Sequence, residues 1–157
     1  PLVGEASNIK KGEITVLRTT LTHPEILNSL ARAGHGSRVL IADGNYPFST
    51  GANPGADRVY LNLTPGIPLA TDVLRVILTA IPVEAAHVMV PQEGPEPPIF
   101  AEFRELLGDE IPLQTLGRFD FYDAARGQDT ALILATGEQR VFANVLLTIG
   151  VVPPPGK

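Results

Sequence analysis

Apolar residues are spaced so that helical and extended segments alternate along the chain. In "THPEILNSLARAG", Ile26, Leu27, Leu30 and Ala31 recur at helical spacing and predict a helix. Thr22 and Glu25 fit a capping box at its start, and Gly34 is the natural residue to end it in a left-handed cap. "RVLIA", short and rich in branched residues, predicts a buried strand with Asp43 at its carboxyl end. The Gly-, Pro- and Asn-rich "FSTGANPGAD" predicts a loop. Val59, Leu61 and Leu63 then alternate as one face of a strand, followed by a turn at "TPGIP". Thr71 and Asp72 predict the start of a second helix, whose stripe runs through Val73, Leu74, Ile77, Leu78 and Ile81 until Pro82 ends it. "AAHVMV" reads as a strand and "PQEGPEPP" as a loop. Pro98 fits the first turn of a third helix carrying Ile99, Phe100, Phe103, Leu106 and Leu107. "TALILA" and "NVLLTIGV" are further strands, with another near "IPLQTL" and a short helix at "DFYDAAR".

About six strands thus alternate with three or four helices, and the strands look buried on both faces. That combination predicts a layered α/β domain with a largely parallel sheet. Residues 1–13 lack periodicity and predict an extended arm, while "PPPGK" at 153–157 predicts a frayed or extended tail. With no internal repeat and no second composition regime, one domain is expected over residues 1–157.

Composition narrows the function more than the fold. At 157 residues and 44% hydrophobic content, the chain has material for one well-buried core. A net charge of −5 without a basic run argues against a nucleic-acid surface, which depends on clustered Lys and Arg. A small molecule or a protein is the expected partner. Without cysteine there is neither a disulfide framework nor a thiolate metal site, and three dispersed histidines offer little for an imidazole site, so no metal is expected. No apolar run reaches the roughly 18 residues of a membrane span, so a soluble protein is expected, with the cytoplasm as its default setting.

The candidate chemistry centres on "RAGHGSRVLIADGNYP". His35 sits between two glycines just past the first helix. It can serve as a cap, meeting the negative end of the helix dipole, or as a proton-transfer group left unshielded by its neighbours. Asp43 ends a strand, where ligand crevices lie in open α/β sheets, and it can equally start the Asp-Gly-Asn bend. His23 reads as a helix-start residue and His87 as a satisfied core histidine. Arg118 can be a surface arginine paired with Asp120 or Asp123, and Asn144 a turn former at the mouth of the last strand. "GANPG" lacks the lysine and the strand–helix setting of a phosphate loop.

Taken together, "HPEILNSLARAGHGSRVLIADGNYP", "GRFDFYDAAR" and "TGEQRVFANVLLTIGVVP" resemble the RbsD/FucU family of sugar mutarotases, the ribose pyranases and fucose mutarotases. The likeness runs from about residue 22 to 153 with its elements in the family's order, nearer the fucose branch because of the Arg-Phe-x-Phe-Tyr run. It implies a three-layer α/β/α domain with a mixed, largely parallel sheet. It also implies anomer interconversion of a free monosaccharide without a cofactor, in a homo-oligomer, a decamer, with sites near subunit contacts. The resemblance makes His35 the catalytic proton donor. Asp43, Arg118 and the segment Phe142, Ala143 and Asn144 would bind the sugar. Phe142 stands where the family has tyrosine, removing a phenolic hydroxyl, and "DGNYP" places Tyr46 nearby. The alternatives are a non-catalytic sugar-binding or transport-accessory protein and an oligomeric scaffold with a vestigial site.

Overall fold

Pro24 decides where the first helix begins. Its ring fixes φ and disfavours helical backbone in the residue before it, so His23, not Thr22, becomes the N-cap of α1 (Pro24–Arg32). The His23 ring accepts from the Ile26 N–H at 3.5 Å and lies 3.2 Å from Glu25. The helix ends at Ala33 in extended backbone, and the left-handed residue is Gly36 (φ 84°) rather than Gly34. Two glycines in one turn offer two places for the positive φ, and the chain uses the later one.

The computed structural model describes residues 16–156, so the arm expected at 1–13 lies outside the described residues. Six strands form one sheet: β1 (Arg38–Ala42), β2 (Asp57–Tyr60), β3 (Val83–Met89), β4 (Leu113–Leu116), β5 (Thr130–Ala135) and β6 (Val145–Ile149). Their order is β2-β5-β1-β6-β3-β4. Five strands run parallel. β6 runs against its neighbours β1 and β3, with Leu40 opposite Leu146. β2 is shorter than expected. Leu61 still donates to Ala135, but the turn at Thr64–Ile67 then closes on itself and leaves Leu63 81% exposed.

Helices cover both faces, giving the α/β/α layering. Alternate residues of each strand point to opposite sides. Val39 and Ile41 of β1 join Leu132, Leu134, Val145 and Leu147 under α1, α2 (Ala70–Leu78) and α3 (Ile99–Leu107). Leu40, Ile133 and Leu146 face α4 (Arg118–Arg126), which contributes Phe121 and Ala125. Phe100, Phe103 and Phe121 are fully buried, each worth roughly 1.5–3 kcal/mol of apolar burial. α2 starts one residue before Thr71 and stops at Leu78, four residues short of Pro82, where the Thr79 hydroxyl donates to the Val76 carbonyl. Pro98 is the N-cap of α3 rather than its first residue. Residues 151–156 form no regular structure and are exposed, as a tail should be.

Candidate functional site

Where β1 leaves the sheet, Asp43 is only 3% exposed and its carboxylate is gripped from two directions. Oδ1 accepts from the Asn45 N–H at 3.0 Å, the Asx turn that an Asp-Gly-Asn bend favours. Oδ2 accepts from the Ala143 N–H at 3.2 Å and from Asn144 Nδ2 at 3.1 Å, while the Asp43 N–H donates to Asn144 Oδ1 at 2.7 Å. Burial pushes the Asp43 carboxyl above its ordinary value, and the hydrogen bonds from Asn45, Ala143 and Asn144 only partly oppose that rise.

The segment that meets Asp43 is itself braced. Thr136 donates to the Ala42 carbonyl through both its N–H and its hydroxyl, and the Gly44 N–H donates to the Glu138 carbonyl at 2.7 Å. Glu138 is 1% exposed, yet its carboxylate accepts from the Ala70 N–H at the start of α2, from the Arg140 N–H and twice from the Arg140 guanidinium. Burial alone would raise this carboxyl, but the Arg140 and backbone hydrogen bonds outweigh it and hold it below the usual range. Arg140 also reaches Glu102 of α3 at 2.8 Å. Between this brace and Asn144, Phe142 adopts left-handed backbone (φ 59°), uncommon for a bulky residue and sustained only where the surroundings fix it.

Asp43, Asn144, Phe142, Arg118 and Tyr122 converge on a cavity of about 180 Å³, with Met89 at the end of β3 on its wall. Ala143 contributes its N–H from behind, fully buried. Arg118 forms no ion pair with Asp120, Asp123 or any other described residue. Tyr122, which the sequence reading passed over, stands one helical turn beyond Arg118 on α4. That i, i+4 spacing was the available signal. Its ring lies beneath the Arg126 guanidinium, 5.4 Å from the centroid. Tyr46 also lines the cavity, but its buried hydroxyl donates to the Gly51 carbonyl at 2.5 Å, and burial raises its pKa far above the ordinary phenol value. That hydroxyl is thus already hydrogen-bonded within the protein.

His35 lies elsewhere. The five residues of β1 carry the chain roughly 17 Å, so His35 and Asp43 sit at opposite ends of that strand. At the amino end, His35 is 58% exposed and its Nε2 lies 3.0 Å from Glu84 Oε2 on β3. His87 is half-buried on β3, where burial lowers its pKa against a hydrogen bond to Gln114 on the neighbouring strand. Among the described residues, no group of three or more His, Cys, Asp or Glu side chains could hold a metal ion. None of the helices there is long and apolar enough to cross a membrane.

A carboxylate, a carboxamide, an unpaired guanidinium and a phenol converge at the carboxyl ends of parallel strands. Together they define an α/β protein built to hold a small, hydroxyl-bearing molecule. The chain belongs to the RbsD / FucU transport protein family, whose sequence model matches residues 17–152. It is 34% identical to a D-ribose pyranase of Paracidovorax citrulli, over 85% of this chain and 97% of the relative. With a fucose mutarotase of Danio rerio it shares 32% identity over 83% of this chain and 90% of the relative. The crystal structure of the fucose mutarotase of Streptococcus pneumoniae in complex with L-fucose superposes with a TM-score of 0.69 at 27% identity, covering 83% of this chain and 94% of that one.

Proposed function

We propose that this protein is a monosaccharide mutarotase, interconverting the anomers of a free reducing sugar, with fucose-like sugars preferred over ribose. The observation that carries the reading is the cavity at Asp43, which suits a single sugar ring and presents Asp43, Asn144 and Arg118 to its hydroxyls, with Phe142 on its wall. Relatives named for fucose and ribose support the same chemistry. In the reaction a proton leaves the anomeric hydroxyl while another reaches the ring oxygen. The C1–O5 bond breaks, the open aldehyde rotates about its C1–C2 bond, and the ring recloses on the other face. No net oxidation occurs, so positioned acid–base groups suffice, each contributing ~10²–10⁴-fold.

His35 supplies the proton in this reading, which, because His35 lies at the far end of β1 from the cavity of its own chain, has it serve the cavity of a neighbouring copy. Glu84 fixes its ring for that role. The same reading requires a homo-oligomer, with a decamer the expected assembly. A cytoplasmic setting belongs to the same reading. Exchange NMR on L-fucose and D-ribose tests the whole: the protein should speed anomer exchange well beyond the spontaneous rate. Binding without exchange would leave the sugar-binding alternative, to which Phe142 in place of a phenol points. Neither binding nor exchange would remove both.

A further inference from the structure

A second cavity, of about 450 Å³, lies beside the first at the carboxyl ends of β2, β5 and β1. Asn45 lines both. One segment also runs past both, since Thr136, Gly137, Glu138 and Gln139 face the second cavity and Val141, Phe142 and Asn144 line the first. Crevices at the carboxyl ends of parallel strands are where open α/β sheets take ligands, and here three such ends meet.

The walls are fixed before any ligand arrives. Gly137 donates to the Pro68 carbonyl and accepts from the Gly66 N–H, holding the Thr64–Ile67 turn against the end of β5. A Cβ on Gly137 would collide with the carbonyl oxygens of Thr64 and Ile67, so only glycine lets the turn come this close. A preformed wall spares a ligand the cost of ordering a loop.

The chemistry of the lining is neutral. Glu138 is the single ionisable residue among the lining groups, and its carboxylate is saturated by Arg140 and the Ala70 N–H. Asn45, Asn62, Thr64 and Gln139 bring carboxamides and a hydroxyl whose donors and acceptors are not used within the described residues. Leu63 adds an exposed apolar patch beside them. Alternating donors and acceptors next to an apolar patch match a ring with hydroxyls on its edge and C–H groups on its face. A phosphate or carboxylate would find no free cation there.

We infer that this cavity is a second saccharide subsite, taking the non-reducing ring of a reducing disaccharide whose reducing ring occupies the Asp43 cavity. The inference rests on the mutarotase reading and widens its substrate class from a free monosaccharide to a reducing disaccharide joined through a hydroxyl that faces Asn45.

Calorimetric titration of the intact protein tests it, using disaccharides with fucose, galactose, glucose or ribose at the reducing end, each paired with its own monosaccharide. At least one disaccharide should bind about tenfold tighter than its monosaccharide, the gain expected from a few net hydrogen bonds on a ring already tethered to the first site. Asn62→Ala combined with Thr64→Ala, and separately Gln139→Ala, should return that affinity to the monosaccharide level while monosaccharide exchange is unchanged. If monosaccharides bind and exchange but no disaccharide binds more tightly, the second subsite is refuted and the mutarotase reading stands. Equal weakening of mono- and disaccharide by these variants refutes it as well. If no sugar binds or exchanges at all, the mutarotase reading fails and the subsite falls with it.

Discussion

Asp43 and Asn144, 101 positions apart, grip each other twice, the Asp43 N–H donating to the Asn144 carboxamide oxygen and the Asn144 amide donating back to the Asp43 carboxylate. Asn144→Ala strips a partner from a buried N–H and another from a buried carboxylate. We expect a loss of roughly 2–3 kcal/mol in unfolding free energy by urea titration, within the range for stranded buried polar groups, together with weaker sugar binding. Unchanged stability would mean that water takes the place of the carboxamide.

The two buried carboxyls should pull the pH dependence of stability in opposite directions. Glu138, held below its unfolded value near 4.3, contributes stability that is present above that pH and lost as pH falls through its folded value. Asp43, raised by burial, favours the folded state below its unfolded value near 3.9, an advantage lost as pH rises through its folded pKa. In urea melts from pH 3 to 8, Arg140→Ala should flatten the acid-side loss. It should also cost roughly 2–3 kcal/mol at pH 7, less than the ~3–5 kcal/mol of a fully buried pair because Arg140 is partly solvated. Asp43→Ala should remove this opposing contribution, so that stability gains more, or falls less, than the parent's as pH rises above about 4.

Much of the architecture was legible because short branched runs such as "RVLIA" and "TALILA" admit few readings other than buried strands, and the helical stripes on α2 and α3 have one obvious face. Strand direction was not legible for β6, since a run buried on both faces carries no arrow. The cap at His23 was missed because a capping box can be read at Thr22, whereas Pro24 acts through backbone sterics that the box ignores. Among the candidate residues, Asp43, Arg118, Phe142 and Asn144 meet at one cavity, and Ala143 backs it. His35 reads as close to Asp43 because only eight positions separate them. Five of those form an extended strand, which sets its ends as far apart as the sheet is deep.

That separation can be tested by mixing. His35→Ala and Asp43→Ala should each lose most anomer exchange, the first with sugar affinity little changed and the second with binding weakened. If a histidine from one copy serves the cavity of another, co-assembling the two variants should restore exchange in a fraction of sites. No recovery in demonstrably mixed oligomers would confine each site to one chain and remove His35 from the proposed chemistry.

The two aromatic positions should now behave differently. Phe142→Tyr puts a hydroxyl back on the cavity wall, and one hydrogen bond formed mainly in the transition state, worth about 0.5–1.5 kcal/mol, should raise exchange roughly two- to tenfold. Tyr46→Phe instead orphans the buried Gly51 carbonyl and should cost about 1–2 kcal/mol of stability with little effect on exchange. A sharp fall in exchange for Tyr46→Phe at unchanged stability would show that its hydroxyl leaves Gly51 for the sugar.

The single reversed strand also governs when the site can come into being. β6 comes last in sequence among the six described strands, yet it fills the centre of the sheet, between β1 and β3. Until it inserts, β2, β5 and β1 form one half-sheet and β3 and β4 another, with no ladder joining them. Closing the sheet therefore waits on contacts that span about a hundred residues, the kind of long loop closure that slows folding. Asn144 arrives with that closure, so a sheet that lacks β6 leaves the Asp43 carboxylate without this partner. Competence to bind at the Asp43 cavity thus depends on the strand that joins the two half-sheets.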